Sequence, residues 1–149
     1  MAIVRITKEF DFEMAHALWN YDGPCKNIHG HSYKLQVTIS GTPITDIDNK
    51  KQGMLMDFSD LKKIVNETII IRFDHALIVN KKAPRVLLHN IEEMFEKYYV
   101  VDYQPTCENL VLDMAERIKN NLPEGIILFC LRLSETATSY AEWYANYNQ

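Results

Sequence analysis

His29-Gly30-His31 sets two imidazoles two residues apart, and on a strand that spacing puts both on one face. His16 closes the preceding alternating segment on its apolar parity. Antiparallel pairing of the two segments through the intervening loop brings it near the other two. Three neutral imidazoles converging on a concave face make a zinc site of the catalytic type, with one position open for water or substrate. Gly30, lacking a Cβ, is expected to let the backbone pass close to the metal. A single histidine on an apolar parity is usually a core or surface side chain, and His-x-His alone is a weak signal. Here three of the chain's five histidines share that placement, which favours the metal.

Two further groups could move protons. Cys25 follows Gly23-Pro24 in the loop between the two histidine-bearing segments, four residues before His29. Thiols beside a cation and an imidazole exchange protons near neutrality, which suits a catalytic role there. Cys107 and Cys130 fall inside regular elements and read as structural thiols. Asp74-His75 offers a base and a carboxylate to orient it, although adjacent residues on a regular strand point apart, so the pair needs an irregular backbone. Glu135 ends an apolar strand parity, where a carboxylate is either frayed into solvent or buried with a partner.

These side chains need elements to position them. Val4, Ile6, Phe10, Phe12, Met14 and His16 alternate with polar residues, as do His29, His31, Tyr33, Leu35, Val37 and Ile39. Period two predicts two long half-buried strands, joined through a turn at Asn20 to Pro24. A helix is expected from about Ser59 to Ile70, with Leu61, Ile64, Val65 and Thr68 buried. Asp74 to Asn80 reads as a short extended piece. The Asn90 and Glu93 spacing suggests a short helix to about Tyr98. Thr106 is the candidate N-cap of a helix burying Leu110, Met114 and Ile118 and ending at Pro123 and Gly125. Ile127, Phe129, Leu131, Leu133 and Glu135 share one parity of a third strand, and a fourth runs from about Tyr140 to Tyr147. The order β-β-α-α-β-β predicts an α+β fold: a four-stranded antiparallel sheet with helices on one face. Long strands with apolar faces are unsafe as open edges, so closure of several such sheets into an oligomeric barrel is expected.

Composition narrows the classes. A chain of 149 residues, 47% hydrophobic and 24% charged, suits one globular domain over residues 1–149. The net charge of -4 gives no reason to expect a nucleic-acid or membrane-surface partner. The odd count of three cysteines and an N-terminus without an apolar signal block suit thiols in a reducing, cytoplasmic setting.

Met14-Ala15-His16 and Cys25-Lys26-Asn27-Ile28-His29-Gly30-His31 resemble the signature of the 6-pyruvoyl-tetrahydropterin synthase family. So do Gly53 to Phe58, Phe73-Asp74-His75, Pro105 to Asn109 and Ser134-Glu135-Thr136, in family order across nearly the whole chain. The three residues between Cys25 and His29 are similar to the 6-carboxy-tetrahydropterin synthase branch, known for its part in queuosine biosynthesis. The resemblance implies the tunnelling fold (T-fold), a homohexamer made of two stacked trimeric barrels, active sites between subunits, and Zn2+ on His16, His29 and His31. It implies 7,8-dihydroneopterin triphosphate as substrate, with 6-carboxytetrahydropterin, acetaldehyde and triphosphate as products. It also makes Cys25, Asp74 and His75 the catalytic relay, with Asp74 and His75 supplied by a neighbouring subunit, and gives Glu135 the ring N–H groups of the pterin to bind. Thr106 and Glu108 are expected to line the same pocket, although a helix cap with a first-turn acid explains them almost as well. Thr42 to Gln52 and Asn80 to Gln104 are longer than in the shortest members and are expected to reshape the pocket mouth. Two alternatives stand: a 6-pyruvoyl synthase that keeps the three-carbon side chain, and a non-catalytic zinc- or pterin-binding oligomer. A closed structural zinc site normally has four protein ligands, which counts against the second.

Overall fold

The computed structural model describes residues 2–149. Strands β1 (Val4–His16) and β2 (His29–Gly41) form one long antiparallel ladder, with Val4 opposite Gly41 at one end and His16 opposite His29 at the other. The alternation read from the sequence sets which side is buried. Phe10, Phe12 and Met14 face the core with Tyr33, Leu35, Val37 and Ile39, and the Phe12 and Tyr33 rings stack with centroids 5.2 Å apart. Glu9, Asp11 and Lys34 occupy the opposite face, where the Lys34 ammonium approaches both acids.

The sheet has six strands, not four. To β1 and β2 are added β3 (Ala76–Asn80), β4 (Tyr98–Val101), β5 (Ile127–Ser134) and β6 (Tyr140–Tyr144), in the order β4-β3-β1-β2-β5-β6. Nor is it wholly antiparallel, because β3 runs parallel to β1 and β4 parallel to β3. Strand β4 begins at Tyr98, where the expected helix ends, in a stretch for which no strand was expected. That helix, α3 (Arg85–Met94), begins a turn earlier, behind Pro84, and gives way to extended backbone at Phe95. Pro84 fixes the start, and the β-branched and aromatic run Tyr98-Tyr99-Val100-Val101 is a better strand than helix.

The helices also divide between two faces. The helices α1 (Phe58–Val65) and α4 (Cys107–Lys119) pack on the main core through Leu61, Val65, Leu110, Met114 and Ile118. Helix α3 packs through Ile91 against Leu77 and Val79, in a second cluster that includes Ala15. Ala76 and Ile78 meanwhile point into the main core, so every residue of β3 is buried. That double coverage is the usual setting of parallel strands and explains why Ala76 to Val79 read as one apolar run.

Two local irregularities shift the expected faces. After α1 the chain widens into a π-helical turn over Asn66–Ile70 before the short α2 (Ile71–Phe73). Thr68 Oγ1 donates to the Ile64 carbonyl at 2.7 Å, and the buried stripe becomes Leu61, Val65, Ile69 and Phe73, leaving Thr68 only half-buried. In β5 a bulge opposite Thr38 and Ile39 puts Leu128 in the core and leaves Ile127 exposed, so parity holds only from Leu131 onward. Strand β6 ends at Tyr144, and Ala145–Tyr147 form a 3-10 turn. Among the described residues no helix is long and apolar enough to cross a membrane.

Candidate metal centre and active site

The β1–β2 ladder carries His16 and His29 to its last rung, with His31 opposite Met14 one rung before it. All three rings fall on the core side. One ligand nitrogen from each lies within 4.8 Å of the others. Outside the triangle, His16 Nδ1 lies 2.7 Å from the Pro105 carbonyl, and His29 Nδ1 lies 2.7 Å from the Asn27 carbonyl. A carbonyl only accepts, so both Nδ1 atoms carry the proton and both Nε2 atoms present bare lone pairs in the neutral rings.

Those two lone pairs face each other, with Nε2 atoms 3.0 Å apart. His31 Nε2 is buried with no hydrogen-bond partner among the described residues. Acceptors crowded in this way repel, and an orphaned buried nitrogen is costly. A shared proton would relieve the repulsion, but burial, the largest influence on His16, lowers its pKa below the ordinary 6.5 and disfavours the imidazolium. A divalent cation accepting all three lone pairs satisfies every one of them. The outward Nδ1–H donors to backbone carbonyls are the outer contacts that orient metal-bound histidines. The donor set therefore fits zinc, which takes imidazole readily and accepts three protein ligands where a fourth position is used in catalysis.

Glu135 follows the end of β5 and leans over this triangle. Its Oε1 lies 3.4 Å from His16 Nε2 and 3.5 Å from His31 Nε2, and the Tyr33 hydroxyl donates to the same oxygen at 3.4 Å. The side chain is one quarter exposed, so it is neither frayed nor sealed in. Burial, then the Glu135 charge, pushes the Tyr33 phenol well above its usual range, which keeps it a neutral donor. Tyr33 read as core from its parity. Its hydroxyl contact at the site emerges only from the fold.

The other expected residues separate into groups. Cys25 sits partly buried on the 3-10 turn Pro24–Lys26, with its carbonyl accepting from Leu18 N at 3.0 Å. The atoms that close on one centre come from the three histidines, without Cys25. Cys107 and Cys130 behave as the structural thiols expected. Burial raises Cys107 to about 11, with the Glu135 charge adding to it, and burial raises Cys130 as well. Thr106 Oγ1 accepts from Asn109 N at 3.2 Å as the N-cap of α4, and Glu108 lies exposed in its first turn. The cap and the first-turn acid are thus both present, and neither residue lines the cavity beside His75 described below. What the sequence did not disclose is the role of their neighbour, Pro105, whose carbonyl orients His16.

Asp74 and His75 lie where the helical segment breaks. Asp74 is extended, and His75 takes a left-handed φ of +59°, an uncommon conformation for a non-glycine residue. This is the irregular backbone the pair required. Glu13 holds it from both sides: Glu13 N donates to Asp74 Oδ1 at 2.9 Å, and His75 N donates to the Glu13 carbonyl at 2.6 Å. Asp74 Oδ1 lies 3.8 Å from His75 Nε2, and the imidazole is 78% exposed. Among the described residues no hydrogen bond joins either to Cys25. His75 instead borders a cavity of about 620 Å³, with Glu13, Ser32, Leu77 and Lys97. Its lining mixes the two parities of the hairpin end: Glu13, Ala15 and Ser32 point away from the core, whereas Met14 and His31 belong to the core-facing set, so the cavity reaches the end of the hairpin at His31. Gly30 lines this cavity too, so its missing side chain makes room there and not beside the metal.

A six-stranded α+β sheet with a three-histidine centre at the end of its main hairpin has clear relatives. The sequence profile of 6-pyruvoyl tetrahydropterin synthase matches residues 5–146. The chain belongs to that family. A 6-carboxy-5,6,7,8-tetrahydropterin synthase of Haemophilus influenzae is 38% identical over 141 residues, spanning 93% of this chain and 97% of that protein. One from Aquifex aeolicus is 29% identical, spanning 93% and 96%. Among solved structures, an uncharacterized protein of Wolinella succinogenes superposes with a TM-score of 0.80 at 23% identity, covering 97% of this chain and 99% of that one. The 6-pyruvoyl tetrahydropterin synthase of Caenorhabditis elegans gives 0.67 at 24%, covering 97% of each. These two likenesses establish the shared fold.

Proposed function

We propose that this protein is a zinc-dependent 6-carboxy-5,6,7,8-tetrahydropterin synthase. It converts 7,8-dihydroneopterin triphosphate and water to 6-carboxytetrahydropterin, acetaldehyde and triphosphate, a step of queuosine biosynthesis in the cytoplasm. The observation that carries the reading is the histidine triangle, with its facing lone pairs and the orphaned His31 nitrogen, in a chain 38% identical to a protein of that name. Incubation with the triphosphate and mass analysis of the pterin product tests it.

His16, His29 and His31 would hold the zinc through their Nε2 atoms. When bound, the ion supplies Lewis acidity toward the hydroxyls of the substrate side chain. Glu135 accepts from the N–H groups at the amino-pyrimidine edge of the ring, where a carboxylate can take two donors in a fork. Tyr33 steadies the carboxylate by donating to Oε1. Cys25 Sγ exchanges protons with side-chain carbon, and His75, oriented by Asp74, completes the relay. Among the described residues no hydrogen bond joins Cys25 to Asp74 or His75 of its own chain, and on this reading the relay at each centre is completed by Asp74 and His75 of a neighbouring subunit.

That arrangement requires an oligomer, and β1 offers the means. Strand β3 pairs with β1 only over Met14 to His16, so Val4 to Phe12 have no strand on that side among the described residues. A long open edge of this kind is normally paired or covered. Joining it to the β6 edge of another copy continues the sheet toward a trimeric barrel, two of which make the hexamer. Light scattering should give a mass near six chains, and a monomer at working concentrations would contradict both the assembly and the shared relay.

Glu135→Gln probes the ring anchor. The substitution keeps shape but turns one acceptor into a donor facing the N–H groups of the ring. Substrate affinity should fall about 10- to 100-fold, the scale of a lost hydrogen bond to a charged group, with zinc content unchanged. Unaltered KM and kcat would remove Glu135 from this role.

A further inference from the structure

The stretch from Asn80 to Gln104 closes on itself at its two ends, and those ends grip the loop that carries Cys25. Asn80 is buried at 7% exposure, and its Nδ2 donates to Gln104 Oε1 at 3.1 Å. Asn80 Oδ1 is meanwhile engaged by Lys82 N at 3.0 Å. Gln104 then takes hold of the main chain of Trp19 with both ends of its amide. Trp19 N donates to Gln104 Oε1 at 3.1 Å, and Gln104 Nε2 donates to the Trp19 carbonyl at 2.7 Å. Trp19 offers one donor and one acceptor, so this pairing leaves each amide a single workable orientation.

The clamp links the turn that carries Cys25 to the segment that holds His16. One residue before Trp19, Leu18 N holds the Cys25 carbonyl at 3.0 Å. One residue after Gln104, Pro105 holds His16 Nδ1. The main chain of Gln104 is itself fixed to α4, because its carbonyl accepts from Thr106 N at 2.7 Å and from Asn109 Nδ2 at 3.0 Å. A single residue thus ties the turn bearing Cys25 to the segment that orients a metal ligand.

We infer that Gln104, backed by Asn80, is a positioning residue that sets the place of the Cys25 thiol relative to the histidine centre. The inference rests on the proposed catalytic role of Cys25. Gln104 touches neither the metal ligands nor the ring anchor, so its effect falls on turnover and leaves ligand binding alone.

The test is a double-mutant cycle in the zinc-loaded protein, with 7,8-dihydroneopterin triphosphate as substrate. Gln104→Met keeps volume and removes all three side-chain hydrogen bonds, two to the Trp19 main chain and one to Asn80. Hydrogen exchange at the Trp19 amide should accelerate at least about tenfold. The kcat should fall about 10- to 100-fold, the scale of a misplaced catalytic group, with KM within about threefold and zinc content unchanged. In a Cys25→Ala background the same change should cost almost nothing further, whereas a merely structural role would multiply the two losses. Asn80→Ala, which leaves the two Trp19 bonds in place, should show a smaller loss with the same non-additivity, and it carries the test if Gln104→Met fails to fold. Unchanged Trp19 exchange, unchanged kcat or multiplying losses would overturn the clamp while leaving the function intact. A Cys25→Ala protein with full activity would overturn the clamp together with the catalytic role of Cys25 on which it rests.

Discussion

Cys25→Ala should turn over 7,8-dihydroneopterin triphosphate about 10²–10⁴-fold more slowly, the usual contribution of a general acid–base group. Zinc content and oligomeric state should not change, because the proposed ligand set is His16, His29 and His31, without Cys25. Pterin affinity should change little, since Glu135 and the metal make those contacts. The other thiols cannot stand in: Cys107 donates to the Leu133 carbonyl and Cys130 is buried, and burial raises the pKa of both. Wild-type turnover in the variant would take the thiol out of the mechanism. Loss of zinc would make Cys25 a fourth ligand and favour a closed, structural site.

His31→Ala should cost the metal, and with it essentially all activity. Its Nε2 is buried with no hydrogen-bond partner among the described residues, so an ion is the group expected to satisfy it. Affinity should fall by more than the about 10–100-fold typical of losing an outer contact. Acid should act in the same direction. Burial holds the His16 pKa below 6.5, so an unfolded or released imidazole takes up a proton first. Above about pH 6.5 His16 is neutral in either state and adds no pH dependence. As pH falls through that value, both fold stability and zinc occupancy should decline. Metal analysis of the purified variant and of wild type across pH 5–8 checks both statements, and undiminished zinc in His31→Ala would refute the ligand assignment.

How much of this was legible depended on range. The alternation of β1 and β2 is local, and it gave the hairpin, its buried face and the convergence of three histidines. The Thr106 cap and the helix it starts were equally local. The parallel pair β3 and β4 was not, because doubly covered strands lose the period-two pattern and Tyr98 adjoins a helical stretch. The π turn after α1 and the bulge in β5 each displaced a face by about one residue, which periodicity cannot foresee. Within the site, residue types announced the three histidines that converge, but the groups that orient two of them are the carbonyls of Asn27 and Pro105. Every residue has a carbonyl, so nothing in composition distinguishes these two. Asp74 and His75 needed an irregular backbone, and the structure supplies it through the left-handed His75 and the grip of Glu13.

The ratio of acetaldehyde to triphosphate released from 7,8-dihydroneopterin triphosphate tests the central claim most directly. Loss of triphosphate alone is common to the 6-carboxy and 6-pyruvoyl reactions, but only cleavage of the side chain frees the two-carbon aldehyde. Zinc-loaded protein should release the two in equal amounts as 6-carboxytetrahydropterin accumulates. Triphosphate without acetaldehyde would make the protein a 6-pyruvoyl synthase, and release of neither from zinc-loaded protein would contradict its being an enzyme of this reaction at all.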